Sequence, residues 1–295
     1  MKPFRELNVS KDEAMVYITG LAYDKGASLG KGAKKAPQLI WRQTIDMPPF
    51  TIDGEPLEDL RLYNNGIFKP KNLQEIAKIA DCLYEDVFNI FIGGDHSVSI
   101  KLEEVFYHKT IAEGLVPVII HLDAHPDFCD FYDGSKYSHA CPNKRAFDLG
   151  YKEENFTLIG IRGYEEQETI FFKQHPNITI YKASMILEQG IEQMLKEIIA
   201  KYRDPKYAIY LSYDIDVNDP FTAPGTGTPE NFGLAPYTTL KIITSLLAEL
   251  NVLTMDIVEV SPKLDDNNHT TSWLAVKTLY EIFGVLIAKR KQEKK

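Results

Sequence analysis

Val116-Pro-Val-Ile-Ile-His-Leu-Asp-Ala-His-Pro-Asp127 begins as an unbroken apolar run and ends in acid and imidazole. The run reads as a buried strand from Val116 to Leu122. A strand without polar alternation marks a parallel sheet covered on both faces. A second apolar run, 207–213, also breaks into acid, at Ser212-Tyr-Asp-Ile-Asp216. In an extended segment, residues two apart share a face. Asp123, His125 and Asp127 are therefore expected to point one way, and Asp214 and Asp216 likewise. Four carboxylates and an imidazole do not crowd into a dry cleft without compensation. The usual compensation is metal, and this much carboxylate calls for more than one ion.

Working outward, further strands are expected over 15–19, 87–92, 157–161, 177–181 and 252–257. Helices are expected from Pro37, a residue at home in a first helical turn, and over 71–86, 97–108, 185–202, 238–249 and 270–289. Strands and helices alternate through nearly the whole chain, without internal repeat or low-complexity linker. The expected fold is α/β: one domain over 1–295, three-layered α/β/α, with a mostly parallel central sheet. The acidic clusters follow strands, where open sheets of this kind place their ligands.

Of 295 residues, 44% are hydrophobic and 25% charged, which is ordinary for a globular protein. The formal charge of -9 argues against nucleic acid and fits a cationic ligand. Three cysteines without a CxxC form no disulfide framework, so a reducing cytoplasm is expected. The N-terminus lacks the apolar stretch of a signal peptide, and no run is expected to span a membrane. Gly26 to Gly32 has neither the spacing nor the Ser/Thr of a phosphate loop.

Gly93-Gly-Asp-His-Ser97 follows another apolar strand and offers His96. Its glycines permit a tight turn and a close backbone approach. With Asp123, His125, Asp127, Asp214 and Asp216 the donor set is carboxylate and imidazole without thiolate. That disfavours structural zinc and suits Mn²⁺, with Fe, Co or Ni also compatible. Two ions ~3.5–4 Å apart, with two carboxylates bridging, can lower the pKa of a shared water. Hydrolysis by metal-bridging hydroxide is the expected chemistry, and phosphoryl transfer obeys the same logic.

Together, Gly93-Gly-Asp-His-Ser97, Asp123-Ala-His-Pro-Asp127, Ser212-Tyr-Asp-Ile-Asp216 and Asp256-Ile-Val-Glu-Val-Ser-Pro262 resemble the signature segments of the ureohydrolases. That family holds arginases, agmatinases, formimidoylglutamases and related guanidino hydrolases. The motifs keep its order, and the resemblance covers most of the chain. It implies an arginase-like fold with two Mn²⁺ at the strand ends. One ion would take His96, Asp123, Asp127 and Asp214; the other would take Asp123, His125, Asp214 and Asp216. Asp95 and Asp219 would be structural. The resemblance also implies a trimer or hexamer.

His139, in Ser138-His-Ala140, matches the family's proton-transfer histidine, with Ala140 where agmatinases usually have glycine. Glu259 would take the planar guanidinium in bidentate fashion. His139, Glu259 and Asp127 are thus the residues expected at the reacting centre. Gly225-Thr-Gly-Thr-Pro-Glu230 resembles the agmatinase loop, placing Thr228 and Glu230 beside the substrate. Asn231-Phe-Gly-Leu234 departs from the usual Gly-Gly-Leu, and Trp41 stands where many members have arginine. Arginases carry Asn two residues beyond the last Asp of the second motif, to bind a carboxylate; here Phe128 and Cys129 follow Asp127. A decarboxylated guanidine, agmatine, is the better expectation, with Asp130, Asp133 or Glu165 receiving its distal amine. The expected products are urea and putrescine. Arginase, guanidinobutyrase and formimidoylglutamase activities stay open, as does a metal-binding homologue without turnover.

Overall fold

The computed structural model describes residues 2–81 and 87–293. Strands β1 (Val16–Leu21), β2 (Leu62–Phe68), β3 (Phe88–Ile92), β4 (Val116–Leu122), β5 (Phe156–Ile161), β6 (Thr179–Lys182), β7 (Tyr207–Asp214) and β8 (Val252–Val258) form one sheet. Its order is β2-β1-β3-β8-β7-β4-β5-β6, and the strands pair in parallel throughout. Helices α1 (Ala36–Asp46), α2 (Leu73–Asp81), α3 (Ser99–Ala112), α4 (Pro142–Leu149), α5 (Glu166–Gln174), α6 (Ala183–Gln189), α7 (Glu192–Tyr202), α8 (Pro236–Glu249) and α9 (Thr270–Glu293) cover its faces.

The alternation of side chains along β4 explains both the layers and the unbroken apolar run. Val118, Ile120 and Leu122 enter one core with Ile40 of α1, Leu246 of α8 and Phe283 of α9. Ile119, between them, enters the other with Ile76 of α2 and Phe106 of α3. Each such side chain contributes roughly 1.5–3 kcal/mol by leaving water. The expected three-layer arginase-like architecture is what forms.

Register positions the site. Ile92 pairs with Ile257, Ile257 with Tyr213, and Tyr213 with Leu122. Across the four central strands this is the row just before the chain enters its C-terminal loops. Asp123, just past the end of β4, and Asp214, the last residue of β7, come next, so two carboxylates meet side by side. The strand order also reverses here, opening the crevice that such sheets use for ligands.

Several elements differ from expectation. β2 went unread because Leu-Tyr-Asn-Asn-Gly-Ile-Phe carries no apolar alternation; it is a half-buried edge strand. The helix expected over 185–202 is two, because Gly190 turns the chain at φ 75°. α4 and α5 were not anticipated. The expected helix over 71–86 is present from Leu73 to Asp81, and 82–86 lie outside the described residues. α9 is long and apolar enough, by length and composition alone, to cross a membrane, which the sequence reading had not expected; 61% of that window is buried in the protein. Trp41 is buried, edge-on to Phe4, and donates from Nε1 to Asn64 Oδ1 at 2.9 Å.

Candidate metal centre and active site

The loop after β3 is pressed against the N-terminal segment. A Cβ at Gly94 would lie 1.5 Å from Tyr23 O, so only glycine fits. Asp95 follows and accepts from the backbone N–H of Gly26, Ala27 and Ser97, at 2.8, 2.9 and 3.0 Å. It therefore braces the loop, and His96 is turned inward. His96 Nδ1 lies 3.1 Å from Asp123 Oδ2, 3.0 Å from Asp127 Oδ2 and 3.1 Å from Asp214 Oδ2. His125 Nδ1 lies 3.4 Å from Asp123 Oδ1 and 3.2 Å from Asp216 Oδ2. Asp123 thus faces both groups with different oxygens.

These contacts do not arise from an extended strand, as the period-two reading had it. β4 ends at Leu122 and β7 at Asp214. Asp123 Oδ1 accepts from His125 N at 2.6 Å, and Asp214 Oδ1 from Asp216 N at 2.8 Å. Aspartate readily folds back on the backbone two residues on. Asp127 then turns inward at φ 56°, a strained angle for any residue but glycine. The side chains converge because the chain bends.

The donors fit a cation. His96 Nδ1, Asp123 Oδ2 and Asp127 Oδ2 are buried and lack hydrogen-bond partners, yet they point at one another. Buried polar atoms in that state require an explanation, and an ion is one. Their spacing of about 3 Å is that of neighbouring ligands with bonds near 2.1 Å. Burial pushes the carboxyl of Asp214 well up, and the charges of Asp216 and Asp123 add to it. Burial works the same way on Asp123, but His121, His125 and His96 outweigh it and hold that carboxyl well down. Among the described residues, two groups could hold metal: His96, His121, Asp123 and Asp127, and Asp123, His125 and Asp216.

A cavity of about 250 Å³ opens over the cluster. Asp123, His125, Asp127, Asp214 and Asp216 form its floor; Cys129, Tyr132, His139, Ala140, Tyr164, Glu165, Glu168, Thr228 and Glu230 are among its walls. A larger hollow lies at the opposite, N-terminal ends of the strands, among Met15, Phe88, Leu115 and Val252, away from both ligating groups.

Residues 14–284 match the arginase family model. The chain belongs to the arginase family. This arginase-family hydrolase is 30% identical to an agmatinase from Bacillus cereus over 91% of each chain. It is 29% identical to a guanidinobutyrase from Pseudomonas aeruginosa, over 91% of this chain and 85% of the relative. The agmatine ureohydrolase of Thermoplasma volcanium superposes with a TM-score of 0.84 at 28% identity, covering 99% of this chain and 96% of that one. The family is metal-dependent, in keeping with the His/Asp cluster.

In this arginase-family site, His139 lies beside Glu259, Nδ1 to Oε1 being 3.4 Å, with Ser28 Oγ at 2.8 Å from Nε2. Burial pulls the His139 pKa down, but the Glu259 carboxylate, with smaller help from Asp127 and Asp95, overcomes this and pushes it up to about 9. Glu259 sits at φ 60°, and its Oε1 accepts from His96 N at 2.8 Å. Thr228 Oγ1 approaches Asp216 Oδ2 at 3.4 Å, and Glu230 Oε1 is 3.8 Å from His125 Nε2. Glu165 caps α5 and lines the cavity, whereas Asp130, paired with Arg145, and Asp133 do not line it. Phe128 turns away into the core, its ring 5.1–5.3 Å from those of Phe156, Phe171 and Phe172. Cys129 occupies the wall, its thiol raised by burial first. Phe232 is exposed at φ 63°, and nothing in the structure explains an aromatic there. Asp219 closes the adjacent turn, accepting from Phe221 N and Gly233 N at 2.9 Å each.

Sequence reasoning missed four residues in this region. His121 stacks on His96 with ring centres 5.0 Å apart and approaches Asp123 Oδ2 at 3.0 Å. Its place inside an apolar strand was the available signal. Glu168 is buried, accepts from Phe128 N at 2.8 Å and Glu165 N at 2.9 Å, and is raised by burial to about 7. Arg162 donates to the carbonyls of Gly160, Asp216, Val217, Asn218, Glu230 and Asn231 within 3.3 Å. It ties the Asp216 turn to the loop bearing Glu230. Ser28 carried no motif of its own.

Proposed function

We propose that this hydrolase cleaves agmatine to urea and putrescine with two Mn²⁺ per chain. The observation that carries the proposal is the cavity lining. Beyond the acidic floor, Glu165, Glu168 and Glu230 stand in the walls, and no lysine or arginine is among the lining residues described. A guanidino acid would bring its carboxylate to Glu165, Glu230 and a Glu168 that burial leaves only part-ionised near neutrality, with no lysine or arginine to receive it and with the charged His139 already paired to Glu259. Glu165 is exposed and Glu230 nearly half-exposed, so each repulsion is screened by water and worth up to about 1 kcal/mol, against ~1.4 kcal/mol for a tenfold change in affinity or rate. A distal ammonium meets those same glutamates favourably.

In this reading His96, Asp123, Asp127 and Asp214 would hold one ion, and Asp123, His125, Asp214 and Asp216 would hold the other. When bound, the ions supply the Lewis acidity that makes water a nucleophile near neutral pH. Glu259 and Thr228 orient the guanidinium, with Asp127 beneath it; Glu230 and Glu165 face the remainder of the substrate. Holding the reacting carbon in place accounts for much of the rate. Water adds to that carbon, the C–N bond to the chain breaks, and the leaving nitrogen must gain a proton. His139, kept charged by Glu259, is placed to give it. The products are neutral urea and a diammonium chain, so atoms and charge balance. A homo-oligomer in the cytoplasm belongs to the same proposal.

The test is kinetic. Purified protein with Mn²⁺ is offered agmatine, arginine, 4-guanidinobutyrate and formimidoylglutamate, and the products are quantified. Agmatine should have the highest kcat/KM. Arginine or guanidinobutyrate turned over as well as agmatine would defeat the substrate assignment.

A further inference from the structure

Beneath the cluster lies a chain of hydroxyls that the mechanism above does not use. His96 Nε2, on the side of the ring away from the carboxylates, is 2.9 Å from Ser212 Oγ. Ser212 Oγ is in turn 2.8 Å from Asp256 Oδ1. Asp256 also accepts from Tyr213 N at 3.3 Å through Oδ1, and from Ser99 Oγ and Tyr210 OH at 2.5 Å each through Oδ2. His96, Ser212, Asp256 and Ser99 are all buried.

Proton counting settles the direction of this chain. A carboxylate only accepts, and a serine hydroxyl has one proton. Ser212 spends that proton on Asp256, so its oxygen is left as an acceptor. The contact with His96 then requires a proton on Nε2. In a neutral imidazole only one nitrogen carries hydrogen. Nδ1 is thereby left with a bare lone pair, and it is Nδ1 that faces Asp123, Asp127 and Asp214. The opposite tautomer would aim an N–H into the ligand cluster and would turn the Ser212 proton to Nε2, leaving Ser212 Oγ against Asp256 Oδ1 with no proton between them.

We infer that Ser212, anchored by Asp256, is a positioning residue that holds His96 in the tautomer and ring orientation needed to ligate a divalent cation. The inference rests on the binuclear reading proposed above. Ser99 supplies an internal control, since its hydroxyl binds the same carboxylate but does not touch His96.

The experiment compares Ser212→Ala, Ser212→Thr and Ser99→Ala with the full-length wild type. Each protein is stripped by a chelator and titrated with Mn²⁺ against a competing chelator, with thermal unfolding recorded in parallel. Both alanine variants should lose some thermal stability. Only Ser212→Ala should loosen one Mn²⁺, by about 10–100-fold, as loss of a ligand's supporting hydrogen bond does elsewhere. Ser212→Thr, which keeps the hydroxyl, should recover most of that affinity. Equal Mn²⁺ affinities in Ser212→Ala and Ser99→Ala overturn the inference, and so does a Ser212→Ala affinity like that of wild type. No guanidine is present in the titration, so the substrate assignment can fail while this inference stands. A wild type that binds no Mn²⁺ overturns both this inference and the binuclear reading.

Discussion

Replacing Glu259 by glutamine should move the alkaline limb of the rate profile toward acid. His139 Nδ1 and Glu259 Oε1 are 3.4 Å apart and both side chains are buried. Unit charges at that distance, at an effective dielectric of about 20, attract by about 5 kcal/mol. That corresponds to roughly 3.6 pH units of preference for the charged imidazole. Burial works the other way, and the balance leaves His139 at about 9 against an ordinary 6.5. A group that must be protonated to act is active below its pKa and fails as pH rises through it. Glu259→Gln removes the largest opposing charge and leaves the burial together with the smaller attractions of Asp127 and Asp95. The limb should therefore shift by about 2 pH units toward acid. Divalent ions in the neighbouring cluster lower the limb in both proteins, so the difference between them still reports the Glu259 charge. The assay is kcat/KM for agmatine from pH 6 to 9.5, which reports the free enzyme's groups, each profile normalised to its own maximum. Normalisation removes the uniform loss expected from a weaker hold on the guanidinium. An alkaline limb at the same pH in both proteins would refute the pairing as the source of the His139 proton.

Removing the imidazole altogether, as in His139→Ala, should lower kcat by about 10²–10⁴-fold while metal content by elemental analysis is unchanged. Two Mn²⁺ per chain are expected by the same analysis, falling to one or fewer in Asp123→Asn, because that carboxylate faces both groups; two firmly bound ions in the variant would be inconsistent with a shared ligand. Phe128→Ala should cost about 3–5 kcal/mol in urea unfolding, since its ring fills the aromatic core beneath α5; a change in substrate preference without loss of stability would show that it belongs to the cavity. Light scattering should give a multiple of 33.6 kDa, and a monomer at working concentration would refute the expected trimer or hexamer.

Most of the sheet was legible because Val118, Ile119 and Ile120 are apolar in succession, and only a strand buried on both faces tolerates that. β2 was not, since Asn64, Asn65 and Gly66 look like a turn, and an edge strand needs only its backbone to pair. The helix break at Gly190 was in plain view, but a single glycine is also tolerated within helices, so residue type alone could not choose. His96, Asp123 and Asp214 stood out because reactive side chains follow apolar runs. Ser28, Glu168 and Ser212 did not, because a hydroxyl or a carboxylate has no local signature when its partner lies far along the chain.

The linear order of residues by itself determined the alternation of strand and helix, the acid and imidazole at the strand ends, and through them the family. These follow from local periodicity and from residue chemistry, which need no knowledge of neighbours. Only the tertiary structure decided that β3, β8, β7 and β4 lie side by side, because parallel pairing joins segments whose separation in sequence carries no trace of adjacency. It also decided that Phe128 faces the core while Cys129 faces the cavity, and that Glu259 reaches both His96 N and His139. Those facts depend on bends such as the one at Asp127, where packing from all sides holds a backbone angle that the residue alone would not choose.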